Sequence, residues 1–183
     1  MNQEVIDFYE GKLRAGRDKL SFDEVVKLPP DRLEKCHDYI QWLFPLPEDS
    51  KFMKNAPKLD EDTAKVLAKD YSLRVFEAVR AMMKFWGIHL NLNSNDKPSV
   101  DPDQSWMKPG DHNHFRISRI LRFITLLSKA SDTKSRAIHF QNIATSLLYA
   151  VFVANDKKEF ATEETVEFWE KATKLGWEEN PRG

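Results

Sequence analysis

The chain has 183 residues, with 28 lysines and arginines against 29 aspartates and glutamates, for a formal net charge of −1. That balance excludes a global field drawing the molecule to nucleic acid or to an anionic membrane, and leaves only local patches. The single cysteine, Cys36, excludes an internal disulfide and any thiolate-rich zinc site.

Six glycines and the lack of any long period-two alternation predict an all-α fold. The expected architecture is one globular bundle of about six to eight helices over 1–183, with no sheet of consequence. The opening "MNQEVIDFYEG" lacks the charged-then-apolar run of a signal peptide, so a cytoplasmic compartment is expected. The first clear helix start is "LSFDEVV", where Ser21 caps the amides ahead, Glu24 reaches back and Leu20 staples onto Val25. That helix must end before Pro29 and Pro30. Pro30 and Asp31 open "DRLEKCHDYIQWLF", predicted as one helix because Leu33, Cys36, His37, Ile40, Leu43 and Phe44 recur at three- and four-residue steps; Pro45 and Pro47 stop it. A short helix starts near Asp60, and a second follows, with Phe76, Val79, Met83 and Trp86 in one stripe and Gly87 as a left-handed cap.

Residues 91–110 carry three prolines and no period, which predicts a long ordered cover or a lid pinned by Trp106. Helices are expected at 112–129, at 133–154, and at 163–175 between a Thr162 cap and Gly176. The apolar run "IATSLLYAVFVA" at 143–154 is interrupted by Thr145 and Ser146 and falls short of a ~20-residue membrane span, so it reads as a central buried helix.

The stretch "GDHNHFRISRIL" at 110–121 carries the densest candidate chemistry. Helical geometry puts Ile117, Ile120, Leu121, Ile124 and Leu127 on a core arc with Asn113 at its middle; His112, Arg116 and Arg119 line one border, and His114 falls near the other. Histidines two apart diverge on a helix, so no metal site is expected. His37–Asp38 resembles a phosphohydrolase His-Asp pair but has no histidine upstream, and His37 reads as a core histidine. Cys36 also faces the core, with no sign of activation. Arg116 leans toward the core and needs a carboxylate, backbone carbonyls or a bound anion. Asp111, as N-cap, competes for the amides an anion would use. Arg119 lies further out, and its truncation is expected to leave stability unchanged. Arg116, Arg119 and Arg122 with Lys129, Lys134 and Arg136 are spread by helical geometry, so strong nucleic-acid binding is not expected. No nucleophile triad or phosphate loop is present, and no catalytic residue or cofactor is assigned.

Together, "HDYIQWLFPLPE" (37–48), "FWGIHL" (85–90) and "HNHFRISRIL" (112–121), preceded by "DFYEGKL", resemble the conserved region of the opioid growth factor receptor family in order and spacing over roughly residues 5 to 130. Tyr39, Ile40, Gln41, Trp42, Leu43, Phe44 and Pro45 match its first motif and Gly87 its second. His112, Asn113, Arg116, Arg119 and Ile120 match the third, while Ser118 and His114 stand where the family pattern has threonine and asparagine. The resemblance implies a helical, receptor-like binding module, since animal members are described as nuclear-associated receptors for an enkephalin peptide that restrain growth. His37, Tyr39, Gln41, Trp42, Phe44, Pro45, Gly87 and Asn113 are expected to be structural. His112, Arg116, Arg119 and Trp106 are expected to border a site for a short peptide or small anionic ligand, with a protein partner as another option. The alternative is a metal-dependent or anion-handling hydrolase using the His112, Arg116 and Arg119 stripe.

Overall fold

The computed structural model describes residues 1–94 and 96–180; Asn95, within the predicted 91–110 loop, and the last three residues of the 1–183 span lie outside it. Its elements are α1 (Gln3–Tyr9), α2 (Phe22–Val25), α3 (Pro30–Lys35), α4 (Tyr39–Leu43), α5 (Glu61–Asp70), α6 (Ser72–Trp86), β1 (Ile88–His89), β2 (Ser99–Val100), α7 (Asn113–Ala130), α8 (Lys134–Lys158) and α9 (Glu163–Lys174). The fold is mostly helical, as predicted, and its one sheet among the described residues is a two-stranded antiparallel pair.

Local sequence rules account for most helix ends. Ser21 and Glu24 form the reciprocal capping box at α2, and Asp60, Thr133 and Thr162 cap α5, α8 and α9 through their side chains. Gly87 closes α6 at φ 63°, ψ 34°, and a Cβ there would meet the Asp101 and Gln104 side chains at 2.9 Å, so both conformation and space require glycine. Helix α1, absent from the predicted elements, starts at Asn2, whose side chain accepts from the Val5 amide, and is held from outside by the Tyr9 hydroxyl, which donates to the Leu43 carbonyl at 2.5 Å.

Two helix expectations are corrected. The predicted helix over 31–44 is broken between α3 and α4, with Cys36 extended at φ −85°, ψ 135°. Its apolar pattern continues through the break, but the carbonyls that would continue the ladder are taken by a side chain from α7, described below. His37 therefore sits exposed at the break and Cys36 is half-buried, neither in the core position expected. The central helix is α7, which packs against α5, α8 and α9; α8, expected to be the buried core helix, buries only a stripe through Phe140, Ile143, Leu147, Ala150 and Val151. Counting only the 143–154 run also understated α8, which has 25 residues and a mean hydropathy of 1.4 over its most apolar eighteen, long and apolar enough to cross a bilayer by those measures alone. It packs against α7, α9 and both strands through that buried stripe.

Candidate functional site

The site is assembled at the first two turns of α7. The N-cap of α7 is His112, with no side-chain cap bond, and not Asp111 as expected; Asp111 stands one residue earlier, where its Oδ1 accepts from both the backbone amide and the side-chain amide of Asn113 at 2.9 Å. Asn113, 1% exposed, is a hub: its Oδ1 accepts from Trp86 Nε1 at 3.0 Å and Arg116 Nη1 at 3.1 Å, and its Nδ2 donates to Glu34 at 3.2 Å. A side chain predicted to be structural thus ties α6, α3 and α7 together.

Arg116 is held by backbone carbonyls. Nη1 donates to Leu33 O at 3.0 Å and Nη2 to Cys36 O at 2.8 Å, while Nη2 also donates to His37 Nδ1 at 3.2 Å. The guanidinium lies 5.6 Å from the centroid of the Tyr39 ring. These are the last carbonyls of α3, where helix-dipole and hydrogen-bond arguments both favour a cation. Arg119 does the same for α4, donating to Phe44 O at 3.0 Å, and is 8% exposed; the expectation that it stands away from the core is corrected. Arg122, 1% exposed, forks onto Glu48 Oε1 at 2.8 and 3.0 Å and donates to the Leu175, Gly176 and Glu179 carbonyls beyond α9. Three arginines spaced three apart on one helix therefore each secure a different helix C-terminus. The spacing R-x-x-R-x-x-R was visible; three buried partners were not. With these guanidiniums consumed inside, no basic ridge runs along α7.

The two α7 histidines diverge as expected. His114, 4% exposed, contacts the Trp106 carbonyl through Nε2 at 3.1 Å and stacks among Trp106, Phe160 and Trp169. Burial pushes its pKa below the ordinary 6.5, and the Trp106 carbonyl offsets this only partly. Trp106 donates to Trp86 O at 3.0 Å and is 2% exposed, so it anchors the 91–110 segment in the core. It is not brought together with His112, Arg116 and Arg119. In the first motif, Tyr39, Gln41, Trp42, Phe44 and Pro45 are buried: Tyr39 donates to Leu33 O at 3.1 Å, and Gln41 donates to the His37 and Asp38 carbonyls at 2.9 Å in the amide orientation its surroundings satisfy.

His112, Arg116 and Arg119 do converge. With His37, Ile40, Gln41, Phe52 and Phe115 they line a surface recess of about 80 Å³. The His112 ring packs edge-on to His37 at 5.2 Å, and its Nε2 is buried with no hydrogen-bond partner among the described residues, Glu34 Oε1 lying 3.6 Å away. Partial burial, then the Arg116 guanidinium and His112, lower the His37 pKa, in keeping with a neutral Nδ1 that accepts from Arg116. Phe52 and Phe115, 65% and 57% exposed, pack at 5.9 Å on the rim, a pair that sequence reasoning missed because neither belongs to a periodic stripe. Among the described residues no three His, Cys, Asp or Glu side chains group as a metal-binding set.

A mostly helical domain whose central helix carries a clamp of three arginines, with a small basic recess at its first turns, is the class of protein these features define. Comparison with known sequences makes it specific: residues 1–150 match the opioid growth factor receptor (OGFr) conserved region, and the chain belongs to that family. It is 31% identical over 123 residues to opioid growth factor receptor-like protein 1 of Xenopus tropicalis, covering 63% of this chain and 24% of that protein. It is 30% identical over 172 residues to the Rattus norvegicus protein of the same name, covering 83% of this chain and 37% of the other. Opioid growth factor receptor of Rattus norvegicus is 34% identical over 97 residues, covering 50% of this chain and 17% of that protein. The chain thus spans well under half the length of these curated relatives. No solved structure matches it significantly.

Proposed function

We propose that this chain is a receptor-like binding module whose recess at the start of α7 takes the anionic end of a short peptide or small ligand, with Phe52 and Phe115 receiving an adjoining apolar group. The observation that carries the reading is the convergence of His112, Arg116, Arg119 and His37 on one recess beside an exposed phenylalanine pair. Its volume of about 80 Å³ suits a carboxylate or phosphate head and little more, given ~30 Å³ per water in the liquid. Arg116 contributes positive potential, because its guanidinium donors already serve carbonyls, Asn113 and His37. His112 contributes its ring to the wall, its Nε2 being buried 3.6 Å from Glu34 Oε1. The relatives' names describe receptors, which supports a binding role in general. A reducing, cytoplasmic or nuclear compartment is part of the same proposal, supported by the single cysteine and by the family resemblance.

The test is calorimetric titration with short aromatic-ended peptides bearing either a free or an amidated C-terminal carboxyl, against wild type and Phe115→Ala. Binding of the free-acid forms only, weakened in Phe115→Ala, is expected. Equal binding of both forms, or no binding by any peptide, phosphate or carboxylate, would leave the recess as a by-product of helix capping.

A further inference from the structure

A larger recess, sharing no residue with the one at the α7 start, lies between α6, β1 with the residues after it, and the first half of α8. It holds about 310 Å³, at the lower end of the ~300–1,000 Å³ typical of small-molecule sites. Its walls are apolar: Phe76, Val79, Met83, Ile88, Leu90 and Ile143. The polar groups of its lining are Arg80, His139, Asn91 and Asn93, with no carboxylate among them. Arg80 is exposed and makes no hydrogen bond or ion pair among the described residues, in contrast to the committed guanidiniums of α7. His139 stands edge-on to the Phe76 ring at 4.7 Å.

We propose that this recess binds a small amphipathic monocarboxylate, its hydrocarbon tail between α6, β1 and α8 and its carboxylate at the mouth beside Arg80. The charge pattern selects that occupant: an apolar cleft alone is indifferent to head group, whereas an unpaired guanidinium at its edge with no neighbouring acid in the lining favours an anion. A carboxylate there gains a charge-assisted contact that a neutral head group of the same chain length lacks. The acyl tail displaces water from the accessible parts of Phe76, Leu90 and Leu92, over a floor of Val79, Met83, Ile88 and Ile143 that is already buried.

The proposal is tested by NMR titration of the intact chain with decanoate, decan-1-ol and decylamine, on wild type and on Arg80→Gln, an exposed substitution that leaves the core untouched. Decanoate is expected to bind tightest and to shift the methyl resonances of Val79, Met83 and Ile143. Arg80→Gln is expected to weaken it by about tenfold, the order of one charge-assisted hydrogen bond, toward the level of decan-1-ol. Decan-1-ol or decylamine binding as tightly as decanoate in wild type overturns the proposal. So do an unchanged decanoate affinity in Arg80→Gln, shifts confined to Phe52 and Phe115, and a dimer in sedimentation that covers this face. Because the two recesses share no residue, failure here is distinguishable from failure of the peptide-binding reading.

Discussion

Helices α7 and α8 invert the usual relation between hydropathy and burial. Fifteen of the eighteen residues of α7 are buried, including Arg116, Arg119 and Arg122, whereas α8, apolar enough to pass for a membrane span, buries seven of twenty-five. Burial of α7 is tolerated because its charged groups meet partners: helix-end carbonyls that would otherwise be unsatisfied, and in one case Glu48. Helix α8 contributes a stripe of contacts and leaves Ile138 and Tyr149 45% and 39% exposed. The comparison teaches that the centre of this fold is defined by where helices end as much as by where apolar residues cluster.

Breaking the arginine clamp should produce the largest effects. Arg122→Ala strands Glu48 and three carbonyls and should destabilise the chain by about 3–5 kcal/mol in urea denaturation. Its partners beyond α9 lie outside the matched 1–150 segment, and truncation after residue 150, which also removes the last turns of α8 and all of α9 with buried Trp169, should cost more than Arg122→Ala. Asn113→Ala leaves Trp86 Nε1 and one Arg116 donor unpaired and should cost on the order of 1–3 kcal/mol. Arg119→Ala, which removes a buried donor from Phe44 O, should fall toward the lower end of the same ~1–3 kcal/mol range.

Acid should weaken the α7 side of the comparison before the α8 side. His37 and His114 have folded-state pKa values below the ordinary 6.5, so the unfolded chain binds more protons between those values and 6.5. Their contribution is fully present above pH 6.5 and is lost as pH falls through the window below it. Urea midpoints should therefore drop between pH 7.5 and pH 5.5, and less so in His114→Phe. The smallest effect is expected on α8: Ile138→Gln and Tyr149→Gln should stay within about 0.5 kcal/mol of wild type by the same denaturation measurement. A loss above 2 kcal/mol there would mean the exposed face is covered in solution.

Local chemistry determined which segments are helical and where most of them stop. Ser21 with Glu24, Asp60, Thr162 and Gly87 act through neighbours within a few residues, so their signals are complete in the sequence. The same periodicity placed Asn113 at the centre of the core face and brought His112, Arg116 and Arg119 to one border, and the structure gathers those three around one recess. Tertiary structure alone decided the break between α3 and α4, the exposure of His37, the burial of Arg119, the separation of Trp106 from the recess and the exchange of α7 for α8 as the central helix. Each turns on partners 75 to 83 residues apart for Arg119 and Arg116, or on carbonyls that no side-chain pattern records. A helix can be read from its own residues because its hydrogen bonds are local; which of its charges can be buried depends on whose carbonyls lie opposite, and that is fixed only when the helices meet.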